Sequence, residues 1–172
     1  MEISKQAKRP CLAAFIDVEG AFNNTSREAI VRGMMDLGIS PVVVRWVDNY
    51  LGRRILTTYN KATSVSKHVS NGCPQGSVCS PIYCNIAQNV LLRQMRERYP
   101  FFLVQAFAGD ICIAASGICR KTIRDQIKTA LLFVRGWCAS SGLNLNIEKT
   151  ELLWVDNSRN PPPKLTIRQQ SG

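Results

Sequence analysis

Residues 105–115, QAFAGDICIAA, constrain the fold more than any other part of this sequence. Two apolar runs, each long enough for a short buried strand, meet at the pair Gly109-Asp110, and such a pair between apolar runs is typical of a tight β-hairpin. The hairpin therefore carries one acid at its tip. A carboxylate in apolar surroundings is unfavourable unless a cation, hydrogen-bond donors or water satisfy it. Asp110 consequently needs a partner from elsewhere in the chain.

A second acid interrupts the apolar run at residues 11–22, CLAAFIDVEGAF, which predicts a buried strand. Taken alone, Asp17 also fits a strand-end aspartate that caps a neighbouring loop. If the two strands lie side by side, however, Asp17 and Asp110 converge on one point. A few carboxylates together with substrate phosphates are what Mg²⁺ prefers, so the pair predicts a divalent-metal site for phosphoryl transfer.

The charge balance points to a polyanionic partner. The 172 residues include 22 Lys or Arg against 12 acids, a formal net charge of +10, and nucleic acid is the commonest partner of so basic a domain. The alternative is a protein that is merely basic. The apolar stretches are too short to span a bilayer, and the charged N-terminus is not a signal peptide, so no membrane partner is expected.

The seven cysteines and the single histidine, His68, do not form a zinc-binding pattern, because the chain has no C-x-x-C pair. Most of the cysteines stand in apolar surroundings and are interpreted as small core residues of a protein in a reducing compartment. The expected location is therefore intracellular, in the cytoplasm, the nucleus or both.

The remaining elements follow from periodicity and from helix start and stop signals. Thr25 and Glu28 have the spacing of a capping box, and Ser40 and Ser80 are predicted N-caps of two further helices. Residues 53–70 predict a polar hairpin. The clearest helix, residues 120–142, carries the apolar stripe Ile123, Ile127, Leu131, Val134 and Cys138.

Residues 143–155 then predict a final strand or strand pair, and the proline-broken residues 157–172 predict a flexible tail. This order of elements predicts an α+β domain of the split β-α-β type, in which a largely antiparallel sheet has helices packed on one face.

Three further features have both a structural and a functional interpretation. The stretch 72–81, GCPQGSVCSP, is either a turn before a helix or a loop in which backbone amides and Gln75 approach a nucleotide. Phe22 is either a core residue or a ring beside the sugar of a bound nucleotide. Lys149 is either a solvated charge or a contact to phosphate.

Four stretches in combination resemble a known family. AAFIDVEGAF, GCPQGSVCSPIYCNI, AFAGDICIAASG and GLNLNIEKTELL look like the successive motifs A, B, C and D of the reverse transcriptase palm, in the family's order and spacing. The similarity is greatest to the non-LTR retrotransposon (LINE-type, Jockey-like) branch and covers roughly residues 10–156. It implies a right-hand polymerase palm that copies RNA into DNA with two Mg²⁺ ions, an RNA template, a DNA primer and deoxynucleoside triphosphates.

The resemblance also implies roles for individual residues. Asp17 and the backbone carbonyl of Val18 would be metal ligands of the first motif. Phe22 would exclude ribonucleotides by crowding the 2′-hydroxyl. Gln75 and Gly76 would contact the incoming nucleotide and the template, and Lys149 would lie near the leaving pyrophosphate.

The third motif departs from the family pattern. The family has an aromatic residue followed by Ala-Asp-Asp, whereas this chain has Phe107-Ala108-Gly109-Asp110. Gly109 therefore occupies the position of the acid that is normally paired with Asp17, and Asp110 matches the second, less critical acid. The loss predicts impaired catalysis without impaired folding.

The expected domain is residues 1–156, an incomplete palm without fingers or thumb, which would have to come from elsewhere. Three functions follow as alternatives. The chain is a reverse transcriptase fragment that is inactive by itself, a palm remnant that binds nucleic acid without catalysis, or the translated product of a decayed element with no function.

Overall fold

A computed structural model describes residues 9–60 and 63–156, and the predicted tail at residues 157–172 lies outside these ranges. Six strands and five helices occur within the described residues. In chain order they are β1 (Cys11–Glu19), α1 (Ala21–Asn24), α2 (Arg27–Asp36), α3 (Pro41–Gly52), β2 (Arg54–Asn60), β3 (Thr63–Val69), α4 (Ser80–Arg98), β4 (Leu103–Phe107), β5 (Asp110–Ser116), α5 (Arg120–Ser140) and β6 (Asn144–Val155).

Four strands form the main sheet, in the order β4-β5-β1-β6, and every neighbouring pair is antiparallel. Strands β2 and β3 pair only with each other, in the hairpin predicted for residues 53–70. The predicted α+β class is confirmed, and the predicted final strand or strand pair is the single strand β6.

The larger core lies between this sheet and the helices α4 and α5. Alternate residues of the two central strands point into it, among them Leu12, Ile16, Ile111 and Ile113, each at most 2% exposed. The predicted stripe of α5 is buried against them along its whole length. Because side chains alternate across a strand, the intervening residues of β1 and β5, including the two acids, face away from this core.

A second cluster of buried residues joins α2, α3 and the first half of α4. Ile30, Val47, Leu51 and Cys84 are at its centre, each at most 3% exposed. Gly33 allows the close approach of α2 to α4, since a Cβ there would come within 2.8 Å of the Ile86 carbonyl oxygen.

Two predicted helix caps are wrong by one residue. The N-cap of α2 is Ser26, whose hydroxyl accepts from the Ala29 amide (3.2 Å) and donates to Glu28 (2.8 Å), whereas the Thr25 hydroxyl donates back to the Ala21 carbonyl. Helix α4 begins at Ser80 itself. The Ser80 hydroxyl donates to the Pro74 carbonyl (2.6 Å) and so ties down the preceding loop instead of capping the helix.

The predicted burial of the cysteines holds for Cys11, Cys73, Cys84 and Cys138, but Cys79 and Cys119 are exposed and Cys112 is half-buried. No helix in residues 9–60 and 63–156 has the length and apolar character to cross a bilayer.

Candidate active site

Asp17 and Asp110 lie directly opposite each other in the paired strands β1 and β5. Residues opposite each other in an antiparallel pair have Cβ atoms about 4.5–5.5 Å apart on the same face of the sheet. Both carboxylates therefore project from the face of the sheet that points away from the larger core, with Asp17 half-buried and Asp110 exposed. The sequence predicted this convergence from the two apolar runs, and the strand register produces it.

An irregularity in β6 brings a cation to the same place. Phe15 pairs with Glu151 and Asp17 pairs with Asn146, so a single residue of β1 stands opposite the four residues 147–150 of β6. Lys149 lies in this bulged segment, and its Nζ is 3.8 Å from an Asp17 carboxylate oxygen. Bulges of this kind often re-aim a side chain beside a functional site. The lysine is 71% exposed, so the pair contributes at most about 1 kcal/mol to stability.

The tip of the β4–β5 hairpin has an unusual backbone. Phe107 pairs with Asp110, and both residues of the turn between them have positive φ, 51° at Ala108 and 113° at Gly109. Only glycine adopts the second value without strain. Gly109 is also crowded, because a Cβ there would lie 2.9 Å from the Ala21 Cβ and 4.0 Å from the Val18 carbonyl oxygen.

The same tip is fixed by two hydrogen bonds. The Val18 amide donates to the Gly109 carbonyl (3.2 Å), and the Ala108 amide donates to the side-chain carbonyl of Asn85 on α4 (3.1 Å). Gly109 is thus held between the end of β1 and the start of α1. This is where an acid side chain would have to emerge in order to join Asp17.

The loop between β3 and α4 is attached to the segment that follows β1. The Gly72 amide donates to the Thr25 carbonyl (2.8 Å) and the Cys73 amide to the Phe22 carbonyl (2.5 Å). A Cβ at Gly72 would lie 2.3 Å from the Asn23 carbonyl oxygen, so the approach requires glycine.

Gln75 completes this attachment, because its amide group donates to the Asn23 side-chain carbonyl (3.2 Å). The structure therefore links the two stretches to which Phe22 and Gln75 belong. Phe22 is half-buried and packs against the second core cluster. Gly76 has positive φ (83°), and a Cβ added there would meet open space. Phe22 thus has a core contact while remaining partly accessible from the loop side.

Cys73 of the loop packs beside Cys84 of α4 in the second core cluster. The hydrogen bond between the two thiols, reinforced by burial, raises the pKa of Cys73, and the Thr25 hydroxyl lies 3.9 Å from the Cys84 sulfur. Both cysteines are at most 3% exposed. They act as small packing residues under the loop, since the neutral thiol is the favoured form of Cys73.

A cleft of about 600 Å³ opens beside the two acids. Its lining includes Asp17, Asp110 and Lys149, the exposed rings of Phe15 and Phe107, and Arg96 of α4. The acids and cations that line this cleft together make it suitable for a phosphate-bearing ligand with a divalent cation between the phosphates and the carboxylates.

The donor set fits one divalent cation. Two carboxylates project from the same face of the sheet, and the Val18 carbonyl lies beside the tip. In the described part of the chain no group of three or more His, Cys, Asp or Glu residues surrounds a common point. Glu151 of β6 also lines the cleft, where it is paired opposite Phe15, but it does not form such a group with the two acids.

Sequence reasoning missed four residues that shape this site: Ala21, Asn23, Gly72 and Asn85. None of them carries a charge; Ala21 acts through the contact of its Cβ with the hairpin tip, and the others act through the backbone or through one hydrogen bond. The glycine could have been suspected from the Asn71-Gly72 pair, a frequent turn signal. The other three have no signal in the sequence.

A family model described as reverse transcriptase (RNA-dependent DNA polymerase) matches residues 1–164. A putative 115 kDa protein in the type-1 retrotransposable element R1DM of Drosophila melanogaster is 28% identical over 96% of this chain and 16% of the relative. A probable RNA-directed DNA polymerase from the transposon X-element of the same organism is 23% identical over 95% of this chain and 18% of the relative. The chain thus spans less than a fifth of the length of these relatives.

Solved structures support the fold. Apo telomerase from Candida tropicalis, truncated from its C-terminal domain, superposes with a TM-score of 0.69 at 15% identity, over 92% of this chain and 34% of that one. Telomerase from the same organism in complex with a fragment of telomeric RNA gives 0.65 at 14% identity, over 89% of this chain and 27% of that one. The predicted incomplete polymerase palm is confirmed as the fold.

Proposed function

Because this chain belongs to the reverse transcriptase family, in its non-LTR retrotransposon (LINE-type) branch, we propose that it is the palm segment of an RNA-directed DNA polymerase whose catalytic power is reduced by Gly109. The single observation that carries the proposal is the pairing of Asp17 with Asp110 on the face of the sheet that points away from the larger core. The substrates proposed with it are an RNA template, a DNA primer and deoxynucleoside triphosphates.

Asp17, Asp110 and the Val18 carbonyl are the proposed cation ligands. A divalent cation held there would supply Lewis-acid stabilisation of the charge that develops on the phosphates during nucleotidyl transfer. Lys149 brings a positive charge and a proton to the same side of the site, 3.8 Å from Asp17. This position suits a residue that neutralises a departing pyrophosphate.

The residues around the loop have a positioning role in this proposal. The hydrogen bond from Gln75 to Asn23 orients the amide at the surface of the loop, where it is available to a nucleotide or a template base. The Phe22 carbonyl accepts from the Cys73 amide, which fixes the backbone at this residue, and the ring is held by its packing against the second core cluster. A fixed ring at this point would exclude a 2′-hydroxyl by contact.

The proposed impairment follows from the absent acid. Loss of a ligand that two cations would share removes about 3–5 kcal/mol of transition-state stabilisation, or roughly 10²–10⁴-fold in rate. Restoring the acid would also disturb the backbone, because an aspartate at φ 113° is strained and its Cβ would meet Ala21. Gly109→Asp alone should therefore recover less activity than the same change made together with Ala21→Gly.

Primer extension with Mg²⁺ or Mn²⁺ tests this proposal. We expect background extension by the wild type, a small gain in Gly109→Asp and a larger one in Ala21→Gly/Gly109→Asp. Primer–template affinity is measured on the same proteins, so that a binding defect is not read as a catalytic one. Wild-type extension that disappears in Asp17→Asn would contradict the impairment, and clear wild-type extension that neither Gly109 variant exceeds would contradict the role of Gly109. Absence of extension in all of these proteins would point to fingers and thumb that come from elsewhere rather than to Gly109.

A second candidate function is nucleic-acid binding without catalysis. It is favoured by the Lys149 ammonium beside Asp17, which already balances one of the two carboxylates, and by the net charge of +10. This function predicts affinity for RNA that falls steeply with added salt and does not change when EDTA removes divalent ions. An affinity that requires Mg²⁺ would favour the polymerase instead.

A further inference from the structure

Helix α3 has an apolar outer face that does not pack into the second core cluster. Its inner residues Val44, Val47 and Leu51 are buried, whereas Val42, Trp46 and Tyr50 form an outer stripe at helical spacing. Trp46 is 63% exposed and Tyr50 is 40% exposed. Large aromatic side chains clustered at a surface mark an interaction site more often than isolated ones do.

The two rings are stacked on each other. Their centroids are 5.6 Å apart and their planes differ by only 2°. This arrangement is a preformed platform, because the outer ring faces are parallel and one further flat ring can continue the stack. We call Trp46 and Tyr50 the aromatic platform.

A groove of about 750 Å³ leads from the platform to the loop described above. Of the platform, Tyr50 lines this groove and Trp46 does not; the rest of its lining includes Ile55 and Leu56 of β2 and the loop residue Gln75. Its volume lies within the range of pockets that bind small ligands or single nucleotides. One continuous surface thus connects the platform with the proposed nucleotide-binding residue Gln75.

Arg54 fixes one wall of this groove. Its guanidinium donates to the carbonyls of Leu51 (3.0 Å), Asn71 (2.8 Å) and Gly72 (2.7 Å). These bonds join the end of α3, the β2–β3 hairpin and the loop. The position of this wall is therefore fixed by hydrogen bonds to the end of α3 and to the loop, and not by the β2–β3 hairpin alone.

The charge around the platform favours a polyanion. Residues 40–75 contain five Lys or Arg and a single acid, Asp48, which is itself paired with Arg27 at 3.3 Å. Arg45, Arg53 and Lys67 are exposed. Aromatic rings on which bases stack, set among cations that track the phosphates, are the combination that proteins use to bind single-stranded nucleic acid.

We propose that the aromatic platform and its groove bind a single-stranded nucleic acid, the template strand before it reaches the paired acids. The strand must be single, because a base can continue the Trp46–Tyr50 stack only when its face is free. That the nucleic acid runs from the platform towards the paired acids rests on the proposed function of Gln75. The binding of a single strand to the platform does not depend on that function.

Fluorescence anisotropy with a short labelled single-stranded RNA tests the proposal on the full chain, in EDTA so that no cation site contributes. Stacking energies predict that Trp46→Ala weakens the affinity by roughly 5- to 150-fold, that Tyr50→Ala acts in the same direction and that Trp46→Phe retains most of the affinity. The matched control is Phe101→Ala, which removes another aromatic ring that is 94% exposed and lines neither the groove nor the cleft. It should bind like the wild type.

The outcomes separate this proposal from the proposed function. Wild-type affinity in Trp46→Ala and Tyr50→Ala, with RNA still bound, would overturn the platform and leave the polymerase assignment intact. Equal affinity for blunt duplex and single strand would also overturn it. If Trp46→Ala changes the sedimentation of the chain but not its RNA affinity, the platform is an interface between copies and the proposal is wrong.

Discussion

The backbone of Gly109 gives the sharpest test of the structure at the site. Replacing it by alanine places a Cβ on a residue with φ 113°, a conformation that costs a side-chain-bearing residue about 1–3 kcal/mol. The new atom would also lie 2.9 Å from the Ala21 Cβ, so the hairpin tip must shift. We therefore expect Gly109→Ala to lower the free energy of unfolding by about 1–3 kcal/mol. Thermal unfolding should show a fall in Tm of roughly 2–4 °C per kcal/mol.

Gly142→Ala is the matched control for this measurement. Gly142 also has positive φ, 70°, but no atom lies within 4 Å of its built Cβ, so it bears only the left-handed strain of about 1–2 kcal/mol. Both variants share the stabilising effect of alanine on the unfolded chain, which cancels in the comparison. Gly109→Ala should be the less stable of the two, and Ala21→Gly should relieve part of its deficit. A Gly109→Ala protein as stable as the wild type would refute the reasoning about this turn.

Three further predictions concern single contacts. Lys149→Met should raise Mn²⁺ affinity roughly 2- to 5-fold, because it removes the ammonium beside Asp17; isothermal titration calorimetry measures this, and a weakened affinity would contradict it. Asn85→Ala should lower unfolding stability by about 1 kcal/mol in chemical denaturation, because the amide of the hairpin tip loses its acceptor; an unchanged midpoint would contradict it. Iodoacetamide at neutral pH should label exposed Cys119 before buried Cys138. Hydrogen bonds from the backbone amide and the hydroxyl of Thr122 lower the pKa of Cys119, whereas burial raises the pKa of Cys138 to about 11. Mass spectrometry follows the order of labelling, and early labelling of Cys138 would contradict the prediction.

The sequence predicted that the two acids converge if their strands lie side by side, and the pairing of β1 with β5 meets that condition. Both acids stand at the end of an apolar run, and burial of one face of each run fixes the register that places them together. The stripe of α5 was predictable for the same reason, since only one helical face is apolar along its length. Features that depend on apolar periodicity could thus be read directly from the chain.

The position of Lys149 could not be predicted in this way. Alternation along β6 gives no sign that residues 147–150 bulge, because the bulge arises from pairing with β1 and not from the local sequence. The N-cap of α2 was predicted one residue too early for a similar reason, because a tertiary contact and not the local sequence decides it. Thr25 and Ser26 are both good caps by type, and the burial of Thr25 against Cys84 decides between them.

Gly109 shows the same limit at the site itself. The sequence identified it as the place of an absent acid in a favourable turn pair. It did not indicate that the backbone has a conformation that an acid could adopt only with strain. An aspartate at this position would therefore be strained by its backbone and crowded by Ala21.

The most direct test of the central claim is the number of Mn²⁺ ions bound by the folded chain, counted by electron paramagnetic resonance. The two paired carboxylates beside the cleft predict a single bound ion, which is lost in Asp17→Asn and in Asp110→Asn but kept in Asp36→Asn, where the replaced acid is paired with Arg93 away from the cleft. Two bound ions in the wild type, or binding that survives in Asp17→Asn, would contradict the account.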